Sequence, residues 1–233
     1  MVYYSPVCKR YDDFHAMVTL EKIVIRKFLP QDRAAVRRIS CETAFLELDR
    51  KRVFNDDEIL ADALTLYYTD YEPESCFVAE AGSRVVGYII GSKDIPAMNR
   101  IGNRILFSRL FLKALRRGTF FNKVNARFLF YCLRSMLKGE LSAPHFSKEF
   151  PATLHINIEE GFRKQKVGQG LIEACLFNLN NNQARGVHFG VFSGPGKNFF
   201  LKMGFAVLFQ SERTYLKPYL GKEVAVYVFG RKF

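Results

Sequence analysis

The 233-residue sequence has no tryptophan, four histidines and five cysteines. Cys8, Cys41, Cys76, Cys132 and Cys175 are scattered and odd in number, with no CxxC pair and no Cys/His group at zinc spacing. That argues against a disulfide scaffold and a structural zinc site; reduced thiols, a cytoplasmic location and no metal are the expectation. No window reaches ~18 uninterrupted apolar residues, so no membrane-spanning helix is expected. The opening stretch "MVYYSPVCKRYDDFHAM" has no apolar core of signal-peptide length, and no 20–50-residue repeat is visible.

Acids are also scarce. Asp and Glu number 23 against 35 Lys and Arg, a formal charge of +12. Such a balance suits an anionic partner: a phosphate-bearing cofactor, nucleic acid or a membrane surface. The excess is local, because Lys93 to Lys148 holds twelve basic residues and two acids, a difference of +10. Hydrophobic residues make up 48% of the chain and aromatics 15%, including 23 Phe, which is ample for a packed core.

Periodicity predicts an irregular extension over 1–20 and a single domain over 21–233. "EKIVIRKF" alternates like a strand. A helix follows Pro30 and Asp32, with Ala35, Val36, Ile39 and Phe45 on one stripe, and a second helix covers Asp56 to Tyr68. "SCFVAEAGSRVVGYIIGSK" reads as two strands around Ala81-Gly82-Ser83. Then come a strand from Ala152 to Ile158, a helix from Gly168 to Asn180, the strand "GVHFGVFS", a short helix ending at Gly204 and two last strands. Residues 93–150 break this rhythm as a basic insertion of two helices, the second stopped at Gly139.

The stretch "EEGFRKQKVGQGLIEACL" (159–176) joins a strand to a helix through a turn with no acid between Glu160 and Glu173. The first turn of a helix offers unpaired N–H groups and partial positive charge, a place for a diphosphate. Gly168 and Gly170 permit close approach, and Arg163, Lys164 and Lys166 add charge. A solvated basic helix start is the plainer alternative.

The order of elements, together with this turn and "SGPGKNFFLKMGF" (193–205), resembles the GNAT family of acyl-CoA N-acetyltransferases. "PATLHINIEEGF" and "ARGVHFGVFS" look closest to bacterial GNAT proteins related to the acetyltransferase-like domain of protein O-GlcNAcase. The resemblance covers about 23–227 apart from 93–150. It implies an α/β (α+β) fold: a mixed, mostly antiparallel sheet flanked by helices, here with a basic helical insertion. It also implies acetyl-CoA or a related acyl-CoA as co-substrate and direct transfer to an amine acceptor.

In the family pattern Arg/Gln-x-x-Gly-x-Gly/Ala, Arg163 takes the first position, Lys166 the first glycine and Gly168 the second. A slipped register starting at Gln165 misaligns Phe162 and the Leu171-Ile172 pair. The resemblance thereby implies a coenzyme site of Arg163, Lys164, Gln165, Lys166, Val167, Gly168 and Gln169. The backbones of Ile156 and Ile158 would pair with the pantetheine arm. Ser193 stands where the family has Asn, and Phe200 where it often has the Tyr that protonates the leaving thiolate.

Phe cannot donate a proton. Tyr215 or Tyr219, before the last strand, is expected to replace it, or to be a surface aromatic. The positions that often carry the family's base are Ala152 and Leu154, both apolar. Alternation puts Thr153, His155, Asn157 and Glu159 on the other face, where His155 is a base or a hydrogen-bonded core residue. Tyr67, Tyr68 and Tyr71 with Glu72 and Glu74 line an acceptor pocket or close a helix end, and His188 reads as structural. Arg109, Lys113, Arg116 and Arg117 share one helical face, which suits an acidic acceptor, nucleic acid or an anionic membrane, or else a solvated lid. The rival to an active transferase is a GNAT-fold binding protein that has lost its catalytic groups.

Overall fold

The computed structural model describes residues 23–45, 48–192 and 195–233. The expected N-terminal extension, Cys8 and Ser193 lie outside the described residues.

Strand β1 (Ile23–Lys27) leads through a 3-10 turn into α1 (Arg33–Glu42), with α2 (Arg50–Val53) and α3 (Asp57–Tyr71) following. The short α2 is not evident from periodicity. It starts where Asp49 accepts from the Lys51 amide, and α3 starts where Asp56 accepts from the Ile59 amide. β2 (Phe77–Ala81) and β3 (Arg84–Ser92) form the expected hairpin, with Gly82 in the left-handed region at φ 60°.

After β3 the chain is helical for longer than the sequence suggests. α4 (Ile95–Ile101) continues through a π-turn (Gly102–Leu106) into α5 (Phe107–Arg116), and α6 (Lys123–Leu137) follows a short 3-10 turn. Gly139 is left-handed at φ 73° two residues past α6, at the expected stop. The remaining elements are β4 (Thr153–Ile158), α7 (Val167–Asn181), β5 (Gly186–Phe192), α8 (Pro195–Lys202), β6 (Ala206–Arg213), α9 (Lys217–Leu220) and β7 (Val224–Lys232).

The strands form two antiparallel sheets, β1-β2-β3-β4 and β5-β7-β6. Alternation divides the apolar side chains of the first sheet between two cores. One holds Phe77, Ile89 and Leu154 with Leu171, Ile172 and Cys175 of α7, and runs on through Phe189, Phe200, Phe205 and Phe229 of the second sheet and α8. The opposite face carries Val78, Tyr88 and Ile90 against Val36 and Ile39 of α1. A third cluster joins Phe45, Val53, Phe54 and Ile59 to Ala114 of α5 and to Leu216 and Val224, with Phe128 of α6 packed against it.

The helices of 93–150 are therefore tied to the rest of the chain by shared apolar packing. Polar contacts tie them further. Asp56 accepts from Arg117 Nε (3.1 Å) and from Thr119 Oγ1. Asn125 Oδ1 accepts from the Asn55 amide (2.6 Å). Glu140 accepts from the amide (2.9 Å) and hydroxyl of Thr214.

Candidate active site

β4 and β5 run parallel and meet at a single bridge. The Ala152 amide donates to Gly186 O (3.1 Å), and the His188 amide to Ala152 O (2.9 Å). Past that bridge the strands belong to separate sheets and the space between them opens. The Glu159 amide donates to Val86 O (2.9 Å), which sets the phase of the β3–β4 ladder. Residues 153, 155, 157 and 159 turn their backbone groups to β3, whereas Leu154, Ile156 and Ile158 turn theirs to the opening.

Among the described residues, the Ile156 N–H and C=O have no partner, and the Ile158 C=O accepts only from Arg163 Nε (3.2 Å). Unpaired strand groups of this kind call for a bound partner or water.

The opening ends at the start of α7. The first helical bond is made by the Gly170 amide to Lys166 O (3.1 Å), so the Val167, Gly168 and Gln169 amides stay available. Arg163, Lys164, Gln165, Lys166 and Gln169 are exposed around them. Lys164 and Lys166 are left-handed, at φ 65° and 62°. Lys166 is the N-cap of α7 and stands where the family pattern has its first glycine, so the backbone reason for glycine is present there. Gly168 has a different constraint. A Cβ there would lie 3.2 Å from the Phe199 ring and 3.3 Å from Ile158 Cδ1, so helix, strand and α8 meet too closely for a side chain.

The fold is shared with solved structures. The crystal structure of SsHAT is 25% identical, with TM-score 0.65, over 90% of this chain and 98% of that one. A polyamine N-acetyltransferase from Drosophila melanogaster is 14% identical, with TM-score 0.59, over 91% and 100%. A GCN5-related N-acetyltransferase from Kribbella flavida is 15% identical, with TM-score 0.55, over 92% and 100%. This chain has the GNAT fold. No protein-family model matches the sequence, and no curated protein does.

The residues expected to do chemistry in this GNAT fold are not brought together. His155 is on the β4 face toward Tyr88, and Asn157 Nδ2 lies 2.8 Å from Tyr88 Oη and 3.1 Å from His155 Nε2. The amide donates to both, which makes Nε2 an acceptor and leaves the ring proton on Nδ1. Burial pushes the His155 pKa down to about 4, so the ring is neutral at pH 7 with one nitrogen already engaged.

Tyr215 stacks edge-on against Phe128, and burial pushes its hydroxyl up to about 12. Tyr219 packs on Tyr131 and under Arg127, with its hydroxyl buried and without a partner among the described residues. Phe200 is enclosed by Phe189, Phe199, Phe205 and Phe229. No hydrogen bond or ring contact links His155, Tyr215, Tyr219 and Phe200 to one another among the described residues.

The other candidates are accounted for by packing. Tyr67 donates to Glu72 (3.0 Å) and stacks on Tyr71, so this group closes the end of α3. His188 Nδ1 bonds Phe150 O (2.7 Å). The four cations of α5 do not form one free face. Lys113 binds Asp62 (2.7 Å) and Glu58, Arg117 binds Asp56 and Arg109 donates to Tyr71, so Arg116 alone of the four is unengaged among the described residues. A cavity of about 1110 Å³ lies between α1, α3 and α5. It is lined by these charges, Arg116 among them, and by no residue of β4, β5 or α7, so it is not the candidate site.

Sequence reasoning missed Arg213 at the end of β6. It is buried, with 8% of its surface exposed, and makes no ion pair or hydrogen bond among the described residues; its Nη1 is fully enclosed. Ser211, two residues earlier on the same strand face, also has an unpartnered buried hydroxyl. The register gives no hint of this, because a strand-end arginine ordinarily reaches solvent.

Proposed function

We propose that this protein transfers an acyl group, acetyl in the simplest case, from a coenzyme A thioester to the amine of a small molecule or peptide. The observation that carries the reading is the open β4–β5 gap, with the Ile156 and Ile158 backbone facing it and the donor-rich start of α7 at its end. That donor set fits the coenzyme. The Val167, Gly168 and Gln169 amides with Arg163, Lys164 and Lys166 suit a diphosphate, and the unpaired Ile156 groups suit the amides of a pantetheine arm. The coenzyme supplies an activated thioester carbonyl.

The chain's own part is mostly positioning. Cleft-facing N–H groups of β4 orient and polarise a carbonyl, and the two-sheet opening brings an acceptor alongside it. Transfer is direct, since the Cys175 thiol is buried with its pKa pushed up to about 12, and that of Cys76 is raised further by burial. His155 stays neutral, and Phe200 has no proton to give the leaving thiolate. The described cysteines are all free thiols, which suits the cytoplasm; no helix among the described residues is long and apolar enough to cross a membrane.

A second reading is a GNAT-fold protein that binds coenzyme A without transfer. Enclosed Phe200 and the hydrogen-bonded His155 favour it. Calorimetry with coenzyme A and a thiol-release assay over an amine panel separate the two. We expect binding on the order of 10 µM and at least a tenfold weakening in Arg163→Glu. Binding without thiol release selects the second reading, and unchanged affinity in the variant rejects this turn as the coenzyme site.

A further inference from the structure

Seventeen large apolar side chains are exposed among the described residues, and eleven of them fall between Ile105 and Leu141. Phe121 is 79% exposed and Leu137 78%, at the turn and at the end of α6; Phe107 is 68% exposed and Phe130 60%. They form stripes. On α5, Phe107, Phe111 and Leu115 recur at i, i+4 and i+8, and Phe107 stacks on Phe111 (6.4 Å), which touches Phe120 (5.4 Å). On α6, Phe130, Leu133 and Leu137 recur at i, i+3 and i+7. An aqueous surface seldom tolerates so much apolar area in one segment unless something covers it.

The charge beside these stripes is of one sign. Residues 95–139 contain ten Lys and Arg and no Asp or Glu. Lys113, Arg117 and Lys138 are spent on ion pairs. Arg100, Arg104, Arg109, Arg116, Lys123, Arg127 and Arg134 have no ion pair among the described residues and are all exposed. Arg104 flanks the α5 stripe, whereas Arg116 lines the cavity toward α1 and α3; Lys123 and Arg134 flank the stripe of α6. Nucleic acid would match the charge and leave the phenylalanines in water. An apolar protein face would match the phenylalanines and leave seven cations without partners. An anionic lipid bilayer matches both, because cations meet the headgroups while Phe and Leu enter the acyl boundary.

We propose that the outward surface of α5, the 118–122 turn and α6 docks this protein peripherally on an anionic membrane. The inward surface, held by Asp56, Asp62 and Glu140, keeps the segment fixed to the GNAT fold. The proposal stands on exposure and charge alone and does not depend on acyl transfer.

The test is co-sedimentation of the full chain with phosphatidylglycerol/phosphatidylcholine vesicles and with pure phosphatidylcholine vesicles. We expect binding to the anionic vesicles, weakened by salt, and little to the neutral ones. Arg104→Gln and Lys123→Gln should each lower partitioning by about fivefold. The triple variant Phe107→Ser, Phe111→Ser, Phe121→Ser should lower it more than ~10-fold while circular dichroism and a cooperative thermal transition are retained, which report intact folding. Absence of binding to anionic vesicles at low salt overturns the proposal, as does equal binding to both lipids. A stable dimer by light scattering that the phenylalanine variants abolish assigns the surface to a second copy instead. Salt-dependent duplex DNA binding that survives the phenylalanine substitutions, with no vesicle binding, assigns it to nucleic acid.

Discussion

Lys166 occupies a conformation that costs a residue with a Cβ about 1–2 kcal/mol and glycine almost nothing. Its φ of 62° is set by the turn that feeds α7, so the strain comes with the site. Lys166→Gly is expected to raise stability by about 1 kcal/mol, a melting shift of roughly 2–4 °C for a chain of this size, and to remove one cation from the proposed diphosphate site. Thermal unfolding and calorimetry of the same variant measure both effects, and a lower melting temperature would contradict the strain. Arg213 presents the opposite case, a charge with no partner among the described residues. A buried unpaired charge is destabilising, so Arg213→Met should leave the protein as stable or more stable on thermal unfolding. Loss of stability in that variant would mean that the guanidinium is already compensated. His155 shows how little a residue's identity says about its role, since Asn157 engages Nε2, Tyr88 packs edge-on against the ring and burial disfavours the cation.

Asp56 links two elements that are far apart in sequence. It caps α3 and accepts from Arg117 and Thr119 beyond α5. Burial alone would raise its pKa; the hydrogen bonds from Arg117, Thr119 and the Ile59 amide outweigh it and hold the carboxyl below its usual range. Asp56→Ala removes the cap, about 1 kcal/mol, and leaves the buried Thr119 hydroxyl without its acceptor, about 1 kcal/mol more, while exposed Arg117 turns to water. Denaturant unfolding of the variant should show that loss, with faster proteolysis between Lys93 and Lys148. A loss below about 1 kcal/mol would show that apolar packing alone fixes the segment. The helices of this segment were legible from their periodicity and from Gly139. Their orientation was not, because the i, i+4 spacing that groups Arg109, Lys113 and Arg116 also fits a face turned toward acids on α3. The π-turn that fuses α4 to α5 has no sequence signal of its own.

Acid should loosen the molecule in two steps. The His155 pKa is lowered from 6.5 to about 4 by burial. The unfolded chain therefore binds this proton first, and stability that is complete above pH 6.5 is lost as pH falls toward 4. Glu140 comes next. Burial would raise its pKa; hydrogen bonds from Ser135, from the Thr214 amide and hydroxyl, and from Lys138 hold it at about 2. Its contribution is present above pH 4.5 and disappears as pH falls through about 2. Unfolding free energy measured from pH 7 to 3 should decline, and His155→Gln should flatten the part between 6.5 and 4. An unchanged slope in that variant would place the lost proton elsewhere.

Local pattern accounts for much of this molecule. Alternation in β1 to β4, the Gly82 turn, the start of α7 and the stop at Gly139 follow from steric and capping rules acting over a few residues, and those are written in neighbouring side chains. The donor-rich turn before α7 was legible for the same reason, since its donors are consecutive. The separation of the two sheets beyond Ala152, the buried isolation of Arg213 and the tying of residues 93–150 to α3 and β6 depend on contacts between positions tens of residues apart. No local rule carries that information, because burial, and with it the value of a charge or a hydroxyl, is set by whichever distant segment packs on top.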